Sequence, residues 1–77
     1  MFERFWLSKR RNEKNLTILE TARKSGLSKQ GYWFIETGRR DPSVKTAKRI
    51  ADVLEFDWTF FLDENHHLVI SSTQYSD

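Results

Sequence analysis

TILETARKSGLSKQGYWFIETGRRDP, residues 17–42, is the stretch on which the fold turns. Thr17 carries a hydroxyl that can accept a hydrogen bond from the unpaired amides of a helix's first turn, and Gly26 can adopt the left-handed conformation that ends one. Ser28 repeats the start signal and Gly38 the stop signal. The spacing predicts one helix from Ile18 to about Ser25, a tight turn, a second helix from Lys29 to Thr37, and a basic loop bearing Arg39 and Arg40 up to Pro42.

Upstream, a helix is expected from about Glu3 to Lys14, with Phe2, Phe5, Trp6 and Leu7 as its apolar side and an almost wholly polar second half. Downstream of Pro42, Ser43 is the expected cap of a fourth helix. Its Val44, Ala47, Ile50, Ala51 and Leu54 recur at steps of three and four, the spacing of one buried stripe, while Lys45, Lys48 and Arg49 take the other face. Asp57 can cap a short fifth helix containing Trp58, Phe60, Phe61 and Leu62. The predicted architecture is all-α: a compact five-helix domain over residues 1–63. A short extended tail over 64–77 follows, in which Leu68-Val69-Ile70 suits a strand.

With 77 residues, none of them Cys, the chain is one small domain that buries only about 60% of its extended surface and is held by neither disulfides nor thiolate zinc. No apolar run reaches the roughly 20 residues of a membrane span, and the N-terminus lacks the pattern of a signal peptide, so a cytoplasmic home is expected. All thirteen Lys and Arg lie at or before Arg49; residues 1–49 carry a net +8, and residues 50–77 hold six acids and no base. Charge polarised in this way turns one side of a small domain toward a polyanion.

Two short helices joined by a turn of about three to four residues containing Gly are the layout of the helix-turn-helix, whose second helix enters the major groove of DNA. Thr17, Ala22, Gly26-Leu27-Ser28, Ile35-Glu36, Gly38 and Pro42 resemble, position by position, the Xre-type helix-turn-helix family of the lambdoid phage repressors and Cro. The stretch PSVKTAKRIADVLEFDWTFFLDE resembles that family's fourth and fifth helices. The resemblance implies a lambda-repressor-like domain that binds a duplex operator as a transcriptional regulator in a prokaryotic cell, on its nucleoid. Some residues depart from the family pattern: Ile18 stands where Gln often contacts a phosphate, Thr21 where Leu is frequent, and Ser8 and Arg10 where apolar residues are common.

Exposed residues near the start of the second motif helix are the ones that reach base edges. Here these are Ser28, Lys29 and Gln30, with Trp33 and Phe34 a turn further on. Gln30 can pair bidentately with adenine, and Lys29 can reach guanine or a phosphate. Three readings stay open for the aromatic pair: Phe34 on thymine methyl groups, one ring turned into the core, or a protein-binding patch. The resemblance implies that the Arg39–Arg40 loop lies along the DNA backbone and donates main-chain amides to phosphate. Thr17, Arg23, Lys24, Ser43 and Lys45 complete the expected phosphate set.

The resemblance also implies a salt bridge from Arg11, or else Arg10, to Glu36. His66-His67 beside Asp63 and Glu64 lacks a third distant ligand, so neither metal nor cofactor is expected, and no nucleophile–base set points to catalysis. A homodimer through the acidic, aromatic C-terminal third is expected from Trp58, Phe60 and Phe61. The rival reading is a protein-interaction module on the same fold, such as an antitoxin or anti-repressor.

Overall fold

The computed structural model describes residues 3–63, so residues 66–70, which hold the histidine pair and the expected strand, lie outside the described residues. Four helices follow in order: α1 (Phe5–Glu13), α2 (Ile18–Lys24), α3 (Lys29–Glu36) and α4 (Val44–Leu54). A further helical turn, α5, occupies residues 60–63. Every helix start after α1 is capped by a local side chain. Thr17 Oγ1 accepts from the Glu20 amide at 3.0 Å while Glu20 Oε1 accepts from the Thr17 amide at 2.8 Å, a reciprocal pair that satisfies two otherwise free donors. Ser28 accepts from the Gly31 amide and Ser43 from the Thr46 amide. Asp57 Oδ1 takes both the amide and the hydroxyl of Thr59 ahead of α5.

Gly26 and Gly38 sit at φ +74° and +81°, where a Cβ is strained, and thereby end α2 and α3. Glu55 closes α4 at φ +59° without being glycine. Tertiary bonds hold it there: Arg10 donates from Nε to Leu54 O at 2.8 Å and from Nη2 to Glu55 O, and Lys14 Nζ lies 2.6 Å from Glu55 Oε1. Arg10 thus satisfies the carbonyls left free at a helix C-terminus. This accounts for a charged residue where the family often has an apolar one.

The core gathers Leu7, Ala22, Tyr32, Ile35, Ala47, Ile50, Leu54 and Phe61, with Trp6, Ile18, Leu27 and Phe56 packed around it. Trp6 meets Phe56, Phe60 and Phe61 edge-on at centroid distances of 5.3, 4.7 and 5.1 Å, so α1 and the C-terminal aromatics close the core together. Thr21 is fully buried, and its hydroxyl returns to Thr17 O at 2.9 Å, which makes a polar residue tolerable where Leu is frequent.

Three packing expectations need correction. Phe5 is 69% exposed and Leu7 is fully buried, because α1 turns toward α3 the face that carries Arg4, Leu7 and Arg11. Val44 stands outside the buried stripe at the rim of an open groove with Pro42, Trp58 and Leu62, so the stripe begins at Ala47. Of the aromatics expected to offer a dimer surface, Phe61 is buried and Trp58 half-buried, which leaves Phe60 and Leu62 as the exposed apolar residues of that segment.

Candidate nucleic-acid interface

The first turn of α3 faces solvent. Ser28, Lys29 and Gln30 are all exposed, and Ser28 Oγ spends its acceptor on the Gly31 amide. At Gly31 a Cβ would lie 3.0 Å from that hydroxyl, so glycine preserves the cap as well as permitting close approach. Gln30 and Trp33 are three residues apart on a helix and share one face. Ile18, at the start of α2, joins Lys29, Gln30 and Trp33 around a shallow, mainly apolar groove.

Neither aromatic of the odd pair enters the core. Trp33 and Phe34 pack on one another at 5.6 Å, and the loop beyond α3 folds back over them: the Arg39 guanidinium lies 4.4 Å above Trp33 and that of Arg40 lies 5.3 Å above Phe34. Of the three readings, the inward turn of one ring into the core is thereby set aside, since a cation over each ring gives it a partner outside the core. The loop amides also differ from expectation. Both Arg39 and Arg40 donate their main-chain N–H to Phe34 O, at 2.8 and 3.1 Å, so only their side chains remain for phosphate.

Two arginines, Arg4 buried and Arg11 half-buried, fix α3 from behind. Arg11 grips Glu36 bidentately, Nε to Oε1 at 2.8 Å and Nη2 to Oε2 at 3.0 Å, and Nη1 reaches Leu16 O at 2.8 Å. The Tyr32 hydroxyl donates to the same Oε1 at 2.7 Å. Glu36 in turn holds the Arg11 guanidinium above its ordinary pKa, while burial, and then Glu36, push the Tyr32 phenol up. Arg11 rather than Arg10 is the partner. Arg4, 2% exposed, is the second anchor and was not singled out from the sequence. Its Nη1 donates to Ile35 O at 2.6 Å and Arg40 O at 3.1 Å, its Nη2 to Asp41 Oδ1 at 2.6 Å, and its amide to Glu36 O at 3.0 Å. A cation at the C-terminus of α3 also complements the helix dipole.

A sequence profile described as helix-turn-helix matches residues 7–61, from the first turn of α1 through Phe61. The chain belongs to the helix-turn-helix family. An uncharacterized HTH-type transcriptional regulator, YqaF of Bacillus subtilis (strain 168), is 43% identical over 61 residues, covering 79% of this chain and 80% of the relative. A solved SinR protein/SinI protein complex contains a chain of similar structure, with TM-score 0.70 and 28% identity, covering 86% of this chain. This chain spans 65% of that one. Together these make the protein a DNA-binding transcriptional regulator, all-helical across the described residues.

In this helix-turn-helix domain the two motif helices frame the Ile18–Trp33 groove, but the expected phosphate residues do not form one cluster. Arg23 and Lys24 leave the C-terminal end of α2 beside Arg49 and Asp52, around a separate depression. Thr17 caps α2 next to the Glu20 carboxyl, which the Thr17 amide holds below its ordinary pKa and therefore ionised. A phosphate there would meet an anion. The Ser43 hydroxyl accepts from the Thr46 amide and donates to the Thr46 hydroxyl, with Lys45 exposed beside it. Among the described residues no group of His, Cys, Asp or Glu could hold a metal ion, and no helix is long and apolar enough to cross a membrane. Arg4 left no sequence signal because an arginine near a chain start normally reads as surface.

Proposed function

We propose that this regulator reads a palindromic duplex operator as a homodimer, with α3 in the major groove. Ser28, Lys29, Gln30, Trp33 and Phe34 form the base-facing set, and Arg39, Arg40, Ser43 and Lys45 the main phosphate contacts. Arg23 and Lys24 lie at the flank. Thr17 serves chiefly as a cap. The observation that carries this reading is the solvent-facing first turn of α3, anchored from behind by Arg11 and Arg4 and bordered by two arginines stacked on its own aromatics. No catalytic step belongs to it, and its place is on the nucleoid in the cytoplasm. Phe60 and Leu62, exposed apolar residues of the C-terminal segment, support a partner surface there.

Titration of duplex DNA against salt tests the reading. Affinity should fall steeply, as for about four to six neutralised phosphates per domain. Arg39→Ala with Arg40→Ala should weaken specific and random duplexes alike, whereas Gln30→Ala should lose about 1–3 kcal/mol of discrimination at one base pair. Equal loss on both duplexes for Gln30→Ala removes it from the base-reading set. Sedimentation of the full chain beside one ending at Glu64 checks the dimer, which is refuted if both are monomers at high micromolar concentration.

A further inference from the structure

The groove between the start of α2 and the exposed face of α3 combines two chemistries. Its walls are the half-buried Ile18 and the exposed indole of Trp33, and its rim carries Lys29 and the Gln30 amide. The Arg39 guanidinium lies over the same indole, 4.4 Å from the ring centroid. An apolar wall facing water contributes nothing until an apolar group displaces that water. Both charged groups at this place are cationic, so the fitting occupant is a small apolar group carried on a polyanion. In the major groove one base offers such a group: thymine, through its C5-methyl. An aliphatic side chain of a protein partner would fill the space equally well, but nothing in its chemistry calls for the cations at the rim.

Resting on the DNA-binding reading of α3, we propose that the Ile18–Trp33 groove is a seat for a thymine methyl group and makes these two residues specificity-determining. The seat adjoins the Gln30 amide, so the thymine it selects lies within a base step or two of the pair that Gln30 reads. Each half-site therefore carries one thymine whose methyl, not its hydrogen-bonding edge, is recognised.

Deoxyuridine keeps every hydrogen-bonding group of thymidine and lacks only that methyl, which gives a probe on the DNA side that leaves the protein untouched. A binding site is selected from random duplexes with the full chain, and each thymine in it is replaced singly by deoxyuridine. One position per half-site should lose about three- to fivefold in affinity, the worth of one buried methyl-sized group. Trp33→Ala lies outside the core, and its melting curve checks that it folds. In that variant the thymine and uracil duplexes should bind alike, while the preference at Gln30's base pair persists. The proposal is overturned if no uracil position matters, if the selected site holds no thymine near the pair Gln30 reads, or if Trp33→Ala retains the full uracil effect. In each of those cases the DNA-binding reading still stands. Absence of any sequence preference in the selection removes that reading as well, and it is seen before any uracil is introduced.

Discussion

Replacing Glu36 by Gln keeps the shape of the clamp and removes its charge. In the parent, Glu36 accepts two guanidinium bonds at 2.8 and 3.0 Å and one phenol bond at 2.7 Å, with only 8% of its own side chain and 12% of Arg11's exposed. The amide oxygen can still take the phenol and one guanidinium bond, but its NH2 group faces a second donor. One charge-assisted bond, worth about 1.5–3 kcal/mol, is lost, and a largely buried cation is left without its counter-charge. Breaking a buried pair from one side typically costs about 3–5 kcal/mol; Arg11's bond to Leu16 O and its remaining exposure place the expected loss at about 2–4 kcal/mol. For a domain of this size that lowers Tm by about 10–25 °C. Thermal melts at neutral pH, followed by far-ultraviolet circular dichroism, measure it. Arg11→Met, Tyr32→Phe and Glu36→Leu combined should recover most of the loss, because the charges and the phenol are removed together and only the part-buried Leu16 carbonyl loses a donor. If Glu36→Gln melts within about 2 °C of the parent, the clamp contributes little and the reasoning fails.

Arg4→Lys keeps the charge but loses the fork that spans Ile35 O, Arg40 O and Asp41; stability should fall by about 2–3 kcal/mol, and the Arg39 and Arg40 amides should exchange hydrogen faster. Unchanged exchange at those amides would show that the loop is held some other way. Ser25 Oγ is buried with no hydrogen-bond partner among the described residues, so Ser25→Ala should be neutral or stabilising by up to about 1 kcal/mol in urea unfolding, and a clear loss would reveal a partner. Tyr32 holds its proton more tightly folded than unfolded; its share of stability is complete below about pH 10 and is lost as pH rises beyond the unfolded phenol's pKa. Unfolding free energy should therefore decline less steeply above that pH in Tyr32→Phe than in the parent, and parallel declines would contradict the assignment.

Helix starts and stops were legible in the sequence because capping is local. Thr17, Ser28, Ser43 and Asp57 each bond an amide two or three residues ahead, and Gly26 and Gly38 break their helices by backbone freedom alone. The Arg11–Glu36 pair was legible by family resemblance, and the exposed Lys29 and Gln30 followed from their place at a helix start. Side-chain direction over longer separations was not legible. Whether Phe5 or Leu7 enters the core depends on how α1 is rotated, and that rotation is set by Arg4 and Arg11 bonding the far end of α3, more than twenty residues away. Trp33 and Phe34 stay at the surface because the loop after α3 doubles back and lays Arg39 and Arg40 over them. By itself the sequence determined the helices, their order and the exposed first turn of α3, since bonds between near neighbours specify these. Tertiary structure alone decided which arginines are buried anchors and which aromatics are surface walls, since each of those fates depends on a partner brought close only by folding.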